Sequence, residues 1–370
     1  MPVTSDELRS QWDKPSEVFS VLLILGGDVI GRALAQLAGS GLAPVTFSFG
    51  WVAYSVSALL SAIGENKLMP PKPDCVCKVI NGRNGNSREN TSWILGRIIR
   101  DHEFWMDAKV KERTDQILTE KMVQLGSSKK PTIAGLVVSI YKPDDTKQQK
   151  TATRDMVYWS GLVSIALQLG IAIIPLGIHG DWGVLIVTAA GTCLAIATGL
   201  LPQWRREKWA CRENSKDSYI LTRGNGSQHA IVILGNRNGL NLEDLASGQT
   251  NVSTNATYFT CVALLILCVL WIPLLITAAG ISENTWYLFA TGIIGIIQNM
   301  FAAGAPRKPS NFGIHLQFEE VIGETKVMET LYATETKYPG IGRRLRDEFF
   351  SGEMRPAEIE KWEKFENLRG

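Results

Sequence analysis

The sequence predicts an α-helical integral membrane protein with six transmembrane helices in three hairpins and a small cytosolic α+β portion. Three observations predict it. First, six windows, roughly 18–38, 45–63, 157–177, 184–201, 257–279 and 286–304, approach the ~20 mostly apolar residues that a bilayer-crossing helix needs. Second, the windows pair through short links, GSGLAP (39–44), IHGDWG (178–183) and GISENT (280–285), and such links make the members of a pair antiparallel neighbours. Third, the charge is partitioned: of 38 Lys and Arg residues, only Arg32 falls inside a window. By the positive-inside rule the basic segments, and with them both termini, face the cytosol.

The same partition excludes whole function classes. A net charge of +2 gives no overall basic field, so no nucleic-acid partner is expected. Long charge-free runs separated by charge-rich loops fit neither an ordinary soluble enzyme nor a disordered tail. The partner expected first is the lipid bilayer.

Taken in order, residues 1–17 form a polar cytosolic N-terminus without the features of a cleaved signal peptide. The first helix then serves as an uncleaved membrane signal, and the endoplasmic reticulum is the default destination. Hairpin 18–63 is the weakest, because Asp28 and Arg32 interrupt its first window and Ser and Thr dilute its second. Loop 64–156 carries two strand patterns, CVCKVI and PTIAGLVVSIY, around helical stretches. Hairpin 157–201 follows. Loop 202–256 opens with PQWRREKW, which reads as an interfacial anchor of Trp and basic residues. It continues as a β-hairpin, SYILTRGNGSQHAIVILGN, because Asn-Gly supplies the positive φ angles of a tight turn. Hairpin 257–304 is followed by a tail, 305–370, with one strand pattern, IHLQFEEVIG, and further helices. Strands from three separate segments would then form one α+β unit.

Candidate site residues come from the polar positions inside the windows. Asp28, Arg32 and Gln36 are spaced by four and share a helix face. Ionisable residues in a span are costly and face a cavity or a partner. Arg32 is the expected catalytic hydrogen-bond donor and Asp28 the residue that positions it; the alternative is an intrahelical ion pair that fixes packing. Gln36, Gln168, Gln298 and Asn299 are candidate substrate-binding residues, with interhelical packing as the alternative. His179, Asp181 and Trp182 sit in a link, as a pocket rim or a plain turn. Arg223, Asn225, Ser227 and His229 share a Gly-rich turn that would cradle an anion or serve only to reverse the chain. Cys75 and Cys77 lack neighbouring ligands, so no metal is expected, and the six cysteines suggest no disulfide framework. GxxxxGK[ST], GxGxxG, HExxH, GxSxG and DDxxD motifs do not occur, and no cofactor is expected. Four sequons, at Asn90, Asn225, Asn251 and Asn255, all fall on the expected cytosolic side and would carry no glycan.

Several stretches, LTRGNGSQHAIVILGN above all, with NSRENTSWILGRIIRD, QLGIAIIPLGIHGDWGVLIVTAAGT, LPQWRREKWACR and KYPGIGRRLRDEFFSGEMRP, resemble a family of multi-pass membrane proteins of filamentous fungi. The resemblance spans nearly the whole chain. It implies a place in fungal secondary metabolism and extends to norbornene-forming Diels–Alderases of terpenoid biosynthesis. It carries no catalytic motif. The expected activity is that of a cofactor-independent cyclase or isomerase on a lipophilic terpenoid intermediate. A pericyclic step needs a shaped apolar pocket and a polarising donor rather than a nucleophile or metal. The alternatives are a metabolite exporter and a non-catalytic scaffold, working as a homo-oligomer or with pathway enzymes.

Overall fold

A computed structural model describes residues 26–126, 128–350 and 352–367. The chain divides into two compact units. One takes the residues up to Pro71, Ala152–Ala210 and Asn251–Pro306; the other takes Lys72–Thr151, Cys211–Thr250 and the residues from Arg307 on.

The first unit is apolar and helical. Its helices are α1 (Gly27–Leu37), α2 (Trp51–Gly64), α3 (Met156–His179), α4 (Gly183–Gly199), α5 (Pro202–Lys208), α6 (Tyr258–Gly280) and α7 (Thr285–Gly304). Three of them, α3 with 24 residues, α6 with 23 and α7 with 20, are long and apolar enough to cross a membrane. A fourth span results if α4 and α5, bent by 41° at their junction, count as one. The six spans expected from hydropathy are therefore corrected to three, or four, among the described residues. The shortfall lies in the first hairpin. Helix α2 has 14 residues and α1 has 11, and at 1.5 Å per residue neither reaches across a ~30 Å hydrocarbon layer. The start of window 18–38 lies outside the described residues.

Between α1 and α2 the chain is extended and buried. Val45, Phe47 and Phe49 are at most 3% exposed, and so are Thr46 and Ser48. Glycines on three helices make room for this segment: a Cβ at Gly295 would lie 1.7 Å from the Phe47 carbonyl oxygen, and one at Gly161 2.2 Å from that of Pro44. Gly191, on α4, meets the ring of Phe47 in the same way. Hydropathy cannot tell such a run from a helix, because both are apolar. In PQWRREKW, read as an interfacial anchor, Arg205 and Arg206 are exposed but Trp204, Lys208 and Trp209 are buried. Trp204 is fully buried and donates to the Thr198 carbonyl, while the buried Lys208 ammonium donates to the Gln36 and Ala38 carbonyls and caps the C-terminus of α1.

The second unit is built on a mixed sheet of β1 (Lys78–Asn81), β2 (Ser87–Glu89), β3 (Val137–Pro143), β4 (Tyr219–Thr222), β5 (His229–Ile233) and β6 (Leu316–Gly323), in the order β2-β1-β4-β5-β3-β6. Among the described residues, only the β3–β5 pair is parallel. Three separate stretches of sequence do supply the strands, as the alternation predicts. Side chains alternate across the sheet. One face, with Val138, Ile140, Ile220 and Val232, packs on Leu331, Leu345 and Trp362 of the C-terminal helices. On the other face Val137 packs on Val110 and Ile117 of the helix Ala108–Gln124. Ser139, two residues on, meets His102 of the short helix His102–Trp105.

Candidate functional site

The four amides singled out in the sequence hold the helical unit together. Asn299 binds Thr46 three times: its Oδ1 accepts from the Thr46 N–H at 3.1 Å and from the hydroxyl at 2.8 Å, and its Nδ2 donates to the carbonyl at 3.0 Å. Gln168 donates to the carbonyls of Phe47 at 2.8 Å and Thr291 at 2.7 Å. Gln36 donates to Ala305 at 3.1 Å, and Gln298 to the Ser160 hydroxyl at 2.9 Å. An extended chain inside an apolar bundle has no strand partner, and Asn299 and Gln168 replace one, while Gln36 and Gln298 tie other parts of the helical unit together. Asp28 and Arg32 form the expected i,i+4 pair at 3.5 Å, but on an exposed face: Asp28 is 91% exposed and Arg32 49%. The structure does not bring them together with Gln168, Gln298 or Asn299.

The candidate site lies in a half-open cavity of the second unit. A cavity of about 570 Å³ is lined by Ile99, Arg100, His102 and Glu103 on one side and by the Arg223–His229 turn and Ile231 on the other. The β4–β5 hairpin positions the turn. Gly224 and Gly226 hold φ at +92° and +86°, values that a side chain disfavours. Ser227 N–H closes the turn on the Gly224 carbonyl. The opposite wall is fixed by Asp101, which accepts from Arg100 Nε at 2.6 Å and from the Arg307 N–H at 3.1 Å.

The two histidines meet across the cavity, with ring centroids 5.0 Å apart and planes at 63°. His102 is 4% exposed, and Trp105 stands edge-on against it at 4.9 Å. Burial, reinforced by the nearby His229 and Arg223, pushes the His102 imidazole down to about 3. Burial lowers His229 as well, against the pull of Glu103. Both rings are therefore neutral at pH 7 and able to accept a hydrogen bond. Arg223 is exposed at the rim and has no ion-pair partner among the described residues. The cavity thus offers a fixed cationic donor and two neutral imidazoles beside the apolar side chains of Ile99 and Ile231. Among the described residues, no group of three His, Cys, Asp or Glu is placed to hold a metal.

Sequence reasoning reached half of this site. Arg223, Asn225, Ser227 and His229 stand out as a Gly-rich turn. Arg100, His102 and Glu103 do not, since IIRDHEFW has no motif spacing and lies more than a hundred positions from its partners. Compared with family models, curated proteins and solved structures, the chain matches none.

Proposed function

We propose that the chain is a membrane-bound, cofactor-independent cyclase or isomerase that takes the reactive part of a lipophilic, terpenoid-like intermediate into the His102–His229 cavity. The observation that carries this reading is the pairing of two neutral imidazoles with the Arg223 guanidinium around one cavity of about 570 Å³. That volume falls within the ~300–1,000 Å³ of small-molecule sites. The donor expected of Arg32 is better supplied by Arg223. Arg223 lines the cavity beside the two imidazoles, whereas Arg32 pairs with Asp28 on an exposed helix face. Resemblance to the fungal family supports the substrate class and the place in secondary metabolism. On this reading the basic loops and both termini are cytosolic and the protein resides in the endoplasmic reticulum. The pair α1–α2 enters and leaves on one side, and four spans complete an even number of crossings.

A metabolite exporter is the second reading, favoured by one observation. The half-length helices α1 and α2 flank an extended segment, as in transporters with discontinuous helices. The segment is packed shut by Asn299, Gln168 and the glycines, which favours the enzyme.

Metabolite profiling of a strain lacking the gene, with cells and medium separated, tests the choice. An enzyme of this class leaves an isomer of the missing product, equal in mass. A product unchanged in amount but held in the cells would make the protein an exporter, and an unchanged profile would remove both readings.

A further inference from the structure

The second unit contains another, smaller cavity, of about 210 Å³, with three aromatic side chains in a mixed polar and apolar lining. Trp105, Tyr141 and Phe318 line it together with Asp107 and Lys308. The Trp105 and Tyr141 rings lie 5.2 Å apart at 56°, and the Tyr141 and Phe318 rings 5.6 Å apart at 71°. Three inclined ring walls around a small volume are the arrangement that attracts a methylated ammonium, through the negative faces of the rings.

This box is built by an irregularity in the sheet. In the β3–β6 ladder Ile140 faces Glu320, but the next residue, Tyr141, faces Phe318. Glu319 is thus the extra residue of a bulge. A regular ladder would place Glu319 opposite Tyr141; the bulge brings an aromatic ring there instead. Bulges re-aim side chains and are frequent beside functional sites.

The two charges specify the ligand further. Asp107 caps the helix Ala108–Gln124 through one oxygen, which accepts from the Lys109 N–H at 2.9 Å. Neither Asp107 nor Lys308 forms an ion pair among the described residues, with each other or with a third group. A simple cation would be opposed by Lys308, and a simple anion by Asp107. A zwitterion satisfies both. The volume lies below the ~300 Å³ at which drug-sized sites begin, so it suits a head group rather than a whole lipophilic molecule.

We infer that the hollow bounded by Trp105, Tyr141 and Phe318 binds a quaternary ammonium joined to an anionic group, of the phosphocholine type, with the ammonium against the rings and Asp107 and the anion toward Lys308. The assignment is independent of the reaction proposed for the larger cavity. The group is either a lipid head group or a free small molecule, and both have the same chemistry.

The test uses the full chain in a choline-free maltoside detergent, titrated calorimetrically with phosphocholine and with phosphoethanolamine. Phosphocholine is expected to bind at least about tenfold more tightly, because the unmethylated ammonium keeps its water. Trp105→Ala should abolish binding. Because the Trp105 indole also donates to the Ile98 carbonyl, two milder variants guard against misfolding. Phe318→Leu keeps apolar volume without a ring face, and Asp107→Asn keeps a capping side chain. Each should weaken phosphocholine several-fold with an unchanged melting temperature. Phosphatidylcholine that copurifies with the wild-type chain and is lost from Phe318→Leu would identify a lipid head group; binding of free phosphocholine without retained lipid would identify a soluble ligand. Failure of the folded wild-type chain to bind phosphocholine, equal binding of phosphoethanolamine, or undiminished binding by Phe318→Leu and Asp107→Asn would overturn the assignment.

Discussion

Asn299 places both ends of its amide on Thr46, and this explains a polar residue in an apolar helix without recourse to a substrate. Replacing it by Leu leaves the Thr46 N–H buried and unpaired, at about 1–3 kcal/mol, while the Thr46 C=O keeps only the Trp51 indole as donor. Asn299→Leu is therefore expected to lower the melting temperature in detergent by several degrees. An unchanged melting curve would mean that this amide does not hold the extended segment. His102 makes a different prediction. Its folded-state value of about 3 lies below the ordinary imidazole value of ~6.5, so the unfolded chain binds the proton more readily. The His102 contribution to stability is complete above pH ~6.5. It falls by about 1.4 kcal/mol for each further unit of acidification, down to about pH 3. His102→Phe should flatten the pH dependence of unfolding measured between pH 7 and 4, whereas a slope identical to wild type would show that this imidazole is not held neutral by burial.

At the scale of elements, the extended run Val45–Phe49 is the feature that hydropathy misreads. Its alternation of Val, Thr, Phe, Ser and Phe is a period-two pattern, and it was there to be read against the helical one. A window average discards that order. The matching glycines, on α3, α4 and α7, are spread over three helices, and no linear pattern connects Gly161, Gly191 and Gly295 to Phe47 and Pro44. Long helices, by contrast, are legible, since α3, α6 and α7 each rest on one uninterrupted apolar run. The strands are legible from local alternation, although their order is not, and the positive φ angles of the 223–228 connection fall on Gly224 and Gly226 rather than on Asn225. Pairing β3 with β5 in parallel depends on contacts between positions some ninety residues apart. At this scale Gly295→Ala is the decisive substitution. A methyl group 1.7 Å from the Phe47 oxygen forces backbone movement, so the variant should accumulate poorly or melt far below wild type. Ala at Gly304, where a Cβ meets nothing within 4 Å, should be neutral in the same assay.

For the whole molecule, segregation of charge into loops and of apolar residues into runs separates the helical unit from the sheet unit before any contact is known. Chemistry is less legible. The turn 223–229 is conspicuous by composition, but its meaning depends on His102 and Arg100, which only the fold brings to it. The polar window residues stood out for the opposite reason: a polar atom in an apolar run demands a partner, and that partner can be backbone as well as substrate. The proposed topology makes one global prediction. Endoglycosidase treatment should leave the mobility of the chain unchanged, because Asn90, Asn225, Asn251 and Asn255 all lie in cytosolic segments; one occupied sequon would invert that side. The central claim, that the His102–His229 cavity with Arg223 at its rim is where the substrate reacts, is tested most directly by complementation. A deletion strain receives the full wild-type chain or Arg223→Ala at matched protein level, and its metabolites are measured by mass spectrometry. The expected result is that wild type restores the product while Arg223→Ala leaves at least about tenfold less, with an isomer of equal mass accumulating. Full restoration by Arg223→Ala would contradict it.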